Sequence, residues 1–135
     1  MRPLLDAQTL IRAAAQPESL PKKAMRLIGD LENELFFSPA SLWEAAIKNG
    51  PSKPNFNFDA RILRRGLLDN GYQELTISSP HAVGVSDLPN IHKDPFDRLL
   101  LAQAKAEGIL LLTSDNILSE YPVPIEFIKR RPRNC

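Results

Sequence analysis

Apolar residues along this chain follow two different spacings, and the alternation between them predicts the architecture. Leu4-Leu5, Glu34-Leu35-Phe36-Phe37, Glu74-Leu75-Thr76-Ile77, Ile109 to Thr113 and Ile125 to Ile128 are short runs that read as strands. The fourth is continuously apolar, the kind of strand buried on both faces in a parallel sheet. Between these runs apolar positions recur at helical steps. A first helix passes through Thr9-Leu10-Ile11-Arg12-Ala13-Ala14, with Asp6 placed to cap it. A second covers Pro21 to Leu31, with Ala24, Leu27, Ile28 and Leu31 in step. Ser38-Pro39 opens a third, predicted to turn Leu42, Trp43, Ala46 and Ile47 toward the core. Gly50 to Asn57 is rich in Pro and Asn and reads as a loop, and Phe58 to Leu68 as an amphipathic helix stopped near Asn70-Gly71. Pro80 to Leu88 forms a short helix and Asn116 to Tyr121 a helical turn. Asp94-Pro95 starts a long helix to about Glu107, with Gly108 behind its end.

Strands separated by helices in this rhythm predict an α/β fold with a mainly parallel sheet and helices on both faces. Sheets of that type bind ligands beyond the carboxyl ends of their strands. Asp6 and Asp115 each directly follow a strand run, which puts both on that rim.

Composition narrows the function more by exclusion than by assertion. A chain of 135 residues with 43% hydrophobic and 24% charged positions suits one globular domain with one core. Its apolar runs are too short to span a bilayer, and Met1-Arg2-Pro3-Leu4-Leu5-Asp6 has no long apolar secretory segment. A single cysteine, Cys135, excludes an internal disulfide framework and a thiolate zinc cluster. The expectation is a cytoplasmic protein without a membrane partner. A net charge of +1 argues against a polycation. Basic residues do cluster, however: Arg61, Arg64 and Arg65 on one helix, and Lys129, Arg130, Arg131 and Arg133 in the tail. Solvated helix face and frayed terminus is the plain reading, phosphate contact the alternative.

Four acids, Asp6, Glu44, Asp97 and Asp115, stand near predicted helix starts or on a first turn. Each has an ordinary explanation. Asp6 and Asp115 suit caps, Asp97 an acid in the helix capped by Asp94, and Glu44 a surface pair with Lys48. Two features resist those explanations. The helix of Asp97 is apolar almost all round, so its first-turn acid needs a partner or a cation. Glu44 lies beside Trp43 at the edge of an apolar stripe. A few carboxylates at one rim are what a hard divalent cation such as Mg²⁺ or Mn²⁺ requires. Such an ion activates water and stabilises charge on a phosphodiester. Other chemistries lack support. His81 and His92 have no zinc spacing and are read as non-ligands, no Gly-rich phosphate loop is present, and Ser38, Ser41 and Ser114 have no visible base.

Several segments then carry a resemblance. Leu4-Leu5-Asp6 comes first, followed by Phe37-Ser38-Pro39-Ala40-Ser41-Leu42-Trp43-Glu44-Ala45-Ala46-Ile47-Lys48. His92-Lys93-Asp94-Pro95-Phe96-Asp97-Arg98-Leu99-Leu100-Leu101-Ala102-Gln103-Ala104 and Leu111-Leu112-Thr113-Ser114-Asp115 complete the set. In this order they resemble the PIN-domain ribonucleases, and most closely the VapC-type toxins of toxin–antitoxin pairs. The resemblance implies a PIN-like three-layer α/β/α domain over residues 1–128, followed by a basic tail over 129–135. It implies that Asp6, Glu44, Asp97 and Asp115 bind Mg²⁺ or Mn²⁺ and catalyse RNA cleavage. Asp94 falls on an accessory acid, and Thr113 on a hydroxyl position expected to bond an Asp6 oxygen. A homodimer, a cognate antitoxin and a structured RNA target such as tRNA are implied partners. Lys48, Arg98, Arg61, Arg64 and Arg65 are candidates for steering the RNA backbone.

One departure stands out. Relatives often read Asp-Thr-His or Asp-Thr-Ser at the first acid, whereas this chain has Asp6-Ala7-Gln8-Thr9. Ala7 removes a hydroxyl that would support a ligand carboxylate, without deleting a ligand. It keeps two rivals in view: a PIN-fold module that binds RNA or protein without cutting, and a nuclease directed at DNA.

Overall fold

The computed structural model describes residues 1–48 and 59–128; the predicted loop over Gly50 to Asn57 and the basic tail lie outside them. Among the described residues, five strands form one sheet in which every pairing is parallel. They are β1 (Pro3–Leu5), β2 (Phe36–Phe37), β3 (Gln73–Glu74), β4 (Leu110–Thr113) and β5 (Ile125–Phe127), in the spatial order β3-β2-β1-β4-β5. The helices are α1 (Ala7–Ala15), α2 (Lys22–Gly29), α3 (Pro39–Lys48), α4 (Ala60–Asp69), α5 (Ser79–Gly84) and α6 (Pro95–Glu107).

Successive side chains of a strand point to opposite faces, so each doublet of apolar residues serves two cores. Leu4, Phe36 and Leu111 pack with Leu100, Leu101 and Ala104 of α6. Their neighbours Leu5, Phe37 and Leu112 pack with Leu10 of α1, Ala24 of α2, Ala45 of α3 and Leu63 and Leu67 of α4. This is a three-layer α/β/α arrangement, and it explains why the strands are apolar without alternation. The strand order reverses between β1 and β4, because β1, β2 and β3 progress one way and β4 and β5 the other. Open parallel sheets carry their ligand crevice at such a switch point, beyond the carboxyl ends of the strands. Asp6 follows β1 and Asp115 follows β4, one on each side of it.

Helix ends obey local chemistry. Asp6, Asp59 and Asp94 cap α1, α4 and α6 by accepting from backbone N–H groups. Gly108 ends α6 with φ of 65°, and Gly71 follows α4 with φ of 84°, both left-handed positions that glycine takes without strain.

Three expectations need correction. The second helix stops at Gly29 rather than Leu31, and the Asp30 carboxylate accepts from Glu32 N in the turn that follows. Leu31 is therefore fully exposed rather than core. The third strand pairs only over Gln73–Glu74, and Leu75 O accepts the Gln103 side-chain amide instead of extending the ladder to Ile77. Helix α3 is rotated from its predicted facing. Ala40, Ser41, Glu44 and Ala45 are buried, whereas Trp43 and Ile47 are 61% and 56% exposed. Small inward residues pack α3 against α1, α4 and α6, and its larger apolar side chains stand outside those contacts. Trp43 rests edge-on against Phe96, with ring centroids 5.0 Å apart.

Two glycines separate backbone strain from packing, since a Cβ added at Gly66 or at Gly108 meets no atom within 4 Å. Gly108→Ala is expected to lower stability by about 1–2 kcal/mol in urea denaturation, the cost of a left-handed alanine. Gly66→Ala, inside α4, is expected to raise it by roughly 0.5–1 kcal/mol.

Candidate metal centre

The crevice is assembled from the ends of elements. Backbone pairing of Leu5 with Leu112 and the bond from Asp6 N to Leu112 O (3.2 Å) bring Asp6 alongside Thr113. Thr113 Oγ1 donates to Asp6 Oδ2 at 2.6 Å and accepts from Asp115 N at 3.0 Å. One buried hydroxyl thus ties the first acid to the last. Asp6 Oδ1 accepts from Thr9 N at 2.9 Å as the cap of α1, and Asp115 Oδ1 accepts from Ile117 N at 2.9 Å. Burial pushes the Asp6 carboxyl above its ordinary range; the Thr113 and Thr9 bonds pull it back, and the Asp115 charge pushes it further up.

The opposite wall comes from α3 and α6. Glu44 is 8% exposed. Its Oε2 accepts from Lys48, one turn later on α3, and its Oε1 is buried with no hydrogen-bond partner among the described residues. The ordinary alternative, a surface pair with Lys48, holds only in part: the pairing is present, but the glutamate faces inward. Asp94 Oδ1 caps α6 by accepting from Phe96 N at 2.9 Å and, more weakly, from Asp97 N at 3.3 Å. Asp97 stands on the first turn, and its Oδ2 lies 3.1 Å from His92 Nε2. Burial, followed by the charges of Asp94, Glu44 and Asp6, raises the Asp97 carboxyl to about 7, against a partial pull down from the His92 bond. The Glu44 hydrogen bond raises the Lys48 ammonium.

Asp6, Glu44, Asp97 and Asp115 all line one cavity of about 580 Å³, together with Asp94, Lys48, His92 and Arg12. Five carboxylates against two cationic side chains leave the cavity negative. The donors are hard oxygens from four separate segments, and the buried Glu44 Oε1 lacks a partner among the described residues. These residues fit a hard divalent cation.

Other expected residues divide differently. Lys48 reaches the cavity, with Nζ 3.9 Å from Asp94 Oδ2. Arg61, Arg64 and Arg65 are exposed on α4 and do not line it. Arg98 is corrected from an RNA contact to a brace. Its Nη1 donates to Pro89 O at 2.9 Å and its Nη2 to Val85 O at 3.0 Å, binding it to the segment leading into α6. His92, read from the sequence as a non-ligand, also lines the cavity. Its nitrogen, with Asp94 and Asp97 oxygens, belongs to a group whose atoms lie within 4.8 Å of one another. The signal in the sequence is a histidine just upstream of the Asp94-Pro95 cap. His81, by contrast, accepts from Ser78 N at the start of α5 and meets Glu107 at 2.9 Å.

Comparison with known proteins gives the class. The PIN domain family model matches residues 4–124, and the chain belongs to that family. No curated protein sequence matches it. Among solved structures, it is similar to a chain of VapBC2 from Rickettsia felis bound to a DNA fragment from their promoter. That match has a TM-score of 0.72 and 18% identity, over 96% of this chain and 100% of that one. It is similar to a chain of DNA-bound VapBC from Salmonella typhimurium, with a TM-score of 0.65 and 15% identity over 94% and 98%. VapBC-5 from Mycobacterium tuberculosis, a member of the VapBC family of toxin-antitoxin systems, gives 0.60 and 13% over 95% and 98%. At these identities the likeness is one of fold.

The raised Asp97 pKa makes a signed prediction for the metal-free protein. Because the folded value of about 7 exceeds the ordinary 3.8, the folded state holds the proton more tightly than the unfolded chain. This contribution to stability is full below about pH 4 and is lost as pH rises through about 7. In chelator, the melting temperature of the wild type is expected to fall across that window more steeply than that of Asp97→Asn. Parallel pH profiles would remove the assignment.

Proposed function

We propose that this chain is a metal-dependent ribonuclease that cleaves RNA phosphodiester bonds as the toxin of a toxin–antitoxin pair. The observation that carries the catalytic part is that Glu44, with one carboxylate oxygen buried and unpartnered among the described residues, lines the same cavity as Asp6, Asp97 and Asp115. In this reading those four acids hold Mg²⁺ or Mn²⁺, with Asp94 accessory. When bound, the ion supplies an activated water and offsets negative charge at the scissile phosphate.

The chain's own groups prepare that site. Thr113 and the amide of Thr9 orient both oxygens of Asp6, while Asp94 and the first turn of α6 fix the entry of Asp97. Lys48, half exposed at the cavity edge, is placed to meet an RNA phosphate, and Arg61, Arg64 and Arg65 offer a more distant basic face on α4. The missing hydroxyl at Ala7 does not orphan the first acid, because both Asp6 oxygens already accept hydrogen bonds. That weakens the case for a non-catalytic binding module.

The toxin assignment draws on fold likeness to chains of VapBC complexes, and a small cognate antitoxin and a second copy of this chain are the partners proposed with it. A structured RNA such as tRNA is the proposed substrate class. Among the described residues no helix is long and apolar enough to cross a membrane.

Purified wild type and Asp6→Asn should be compared for cleavage of labelled RNA with Mn²⁺, with single-stranded DNA as a competing substrate. The expected result is Mn²⁺-dependent RNA cleavage reduced at least about a hundredfold in the variant, a loss of about 2.7 kcal/mol of transition-state stabilisation. RNA binding without turnover in the wild type would favour the binding module, and preferred cleavage of DNA would move the substrate class.

A further inference from the structure

His92 makes more polar contacts than its exposure suggests, and the proposed chemistry gives it no role. It is on the segment between the 3₁₀ turn Val85–Asp87 and α6, five residues before Asp97. Both of its backbone groups are anchored. His92 N donates to Tyr121 Oη at 2.7 Å, and its carbonyl accepts from Tyr121 Oη at 3.3 Å and from Arg98 Nη1 at 3.4 Å. Tyr121 is buried beside the 3₁₀ turn Leu118–Glu120, so the anchor reaches into the sheet's core rather than into solvent. Arg98 in turn holds the carbonyls of Val85 and Pro89. A histidine held at both backbone groups then presents Nε2 to Asp97 Oδ2 at 3.1 Å, with side chains 25% and 17% exposed.

We propose that His92 is a positioning residue for the Asp97 carboxylate: Nε2–H holds Oδ2 and commits the group's orientation toward the cation cavity. This rests on the proposed cation-binding reading of the site, which Glu44, its Oε1 buried and without a partner among the described residues, supports independently of His92. When Asp97 is ionised, as a cation ligand must be, it only accepts, so the neutral ring bonds it with the proton on Nε2. Donation to one carboxylate oxygen leaves the other disengaged from that bond. Groups that orient metal-binding side chains in this manner change metal affinity by about 10- to 100-fold when removed. Arg98 and Tyr121 act one step further out, by fixing the segment that carries the imidazole.

A direct ligand role for His92 predicts a different outcome. Imidazole nitrogen favours a borderline ion over Mg²⁺, so a lost ligand would change selectivity as well as affinity. A lost positioning bond weakens both ions by the same factor, since the oxygen donor set is unchanged.

Mn²⁺ and Mg²⁺ should be titrated calorimetrically into the full chain as wild type, His92→Ala and His92→Gln, with melting temperatures measured in chelator. Glutamine keeps an N–H at roughly the position of Nε2. The expected result is a roughly 10- to 100-fold weakening of both ions in His92→Ala, recovered to within a few-fold by His92→Gln. Metal-free melting temperatures of the two variants should agree closely, which separates positioning from misfolding. Unchanged affinity in His92→Ala overturns the proposal, as does failure of His92→Gln to recover it. A loss confined largely to Mn²⁺ overturns it in favour of ligation. Absence of saturable binding in the wild type overturns the cation reading itself, a separate result from any of these.

Discussion

Taking Asp6, Glu44 and Asp97 out of water together costs free energy unless each carboxylate is answered by donors or by a cation, and the polar architecture of this chain is arranged around that cost. Donors answer Asp6 on both oxygens, through Thr113 and the first turn of α1. Lys48 answers one oxygen of Glu44, and His92 one oxygen of Asp97. The answer stops short of complete. Glu44 Oε1 has no partner among the described residues, and Asp97 is left with a pKa of about 7. A site that served only to end helices would not concentrate its charge in this way. Capping acids are ordinarily exposed and meet N–H groups of a single helix.

The sheet explains how such a site is held. Parallel strands deliver their carboxyl ends to one edge, and the reversal of order between β1 and β4 opens a crevice there. Thr113 closes the sheet side of that crevice by joining Asp6 to the backbone of Asp115. Helices α3 and α6 close the other side, α3 through its small inward residues and α6 through its capped first turn. The rotation of α3 is therefore coupled to the site: the face that buries Glu44 is the face that leaves Trp43 and Ile47 outside. Membership of the PIN domain family is consistent with each of these features, and the fold likeness to VapBC chains extends over nearly the whole length.

Much of this was legible in the sequence, for reasons that differ by element. β1, β4 and α6 lie between strong punctuation, with Asp6, the Asp94-Pro95 pair and Gly108 at their ends, so local chemistry sufficed. Asp6, Asp97 and Asp115 were legible because each sits at a strand end or a helix start, whereas Glu44, in the middle of α3, was marked only by its place beside Trp43. The facing of α3 was not legible. Periodicity selects its large apolar residues, but packing against α1, α4 and α6 selects its small ones, and only tertiary structure decides between them. β2 and β3 are two residues each and owe their existence to pairing across the chain. The engagement of Arg98 and of His92 was illegible for a related reason. Their partners are carbonyls, a tyrosine hydroxyl and a carboxylate brought together by a turn of the chain, which no residue spacing records.

The central claim is that the buried acids await a divalent cation. It is tested most directly by measuring proton release when Mn²⁺ binds, using calorimetry at about pH 6.5 in two buffers of different ionisation enthalpy. Burial and the neighbouring acids raise the Asp97 carboxyl to about 7, so the metal-free protein carries a share of that proton near this pH and must release it for Asp97 to serve as a ligand. Saturable binding with net proton release, lost in Asp97→Asn, is the predicted result. Binding that releases no protons, or no saturable binding, would contradict the account.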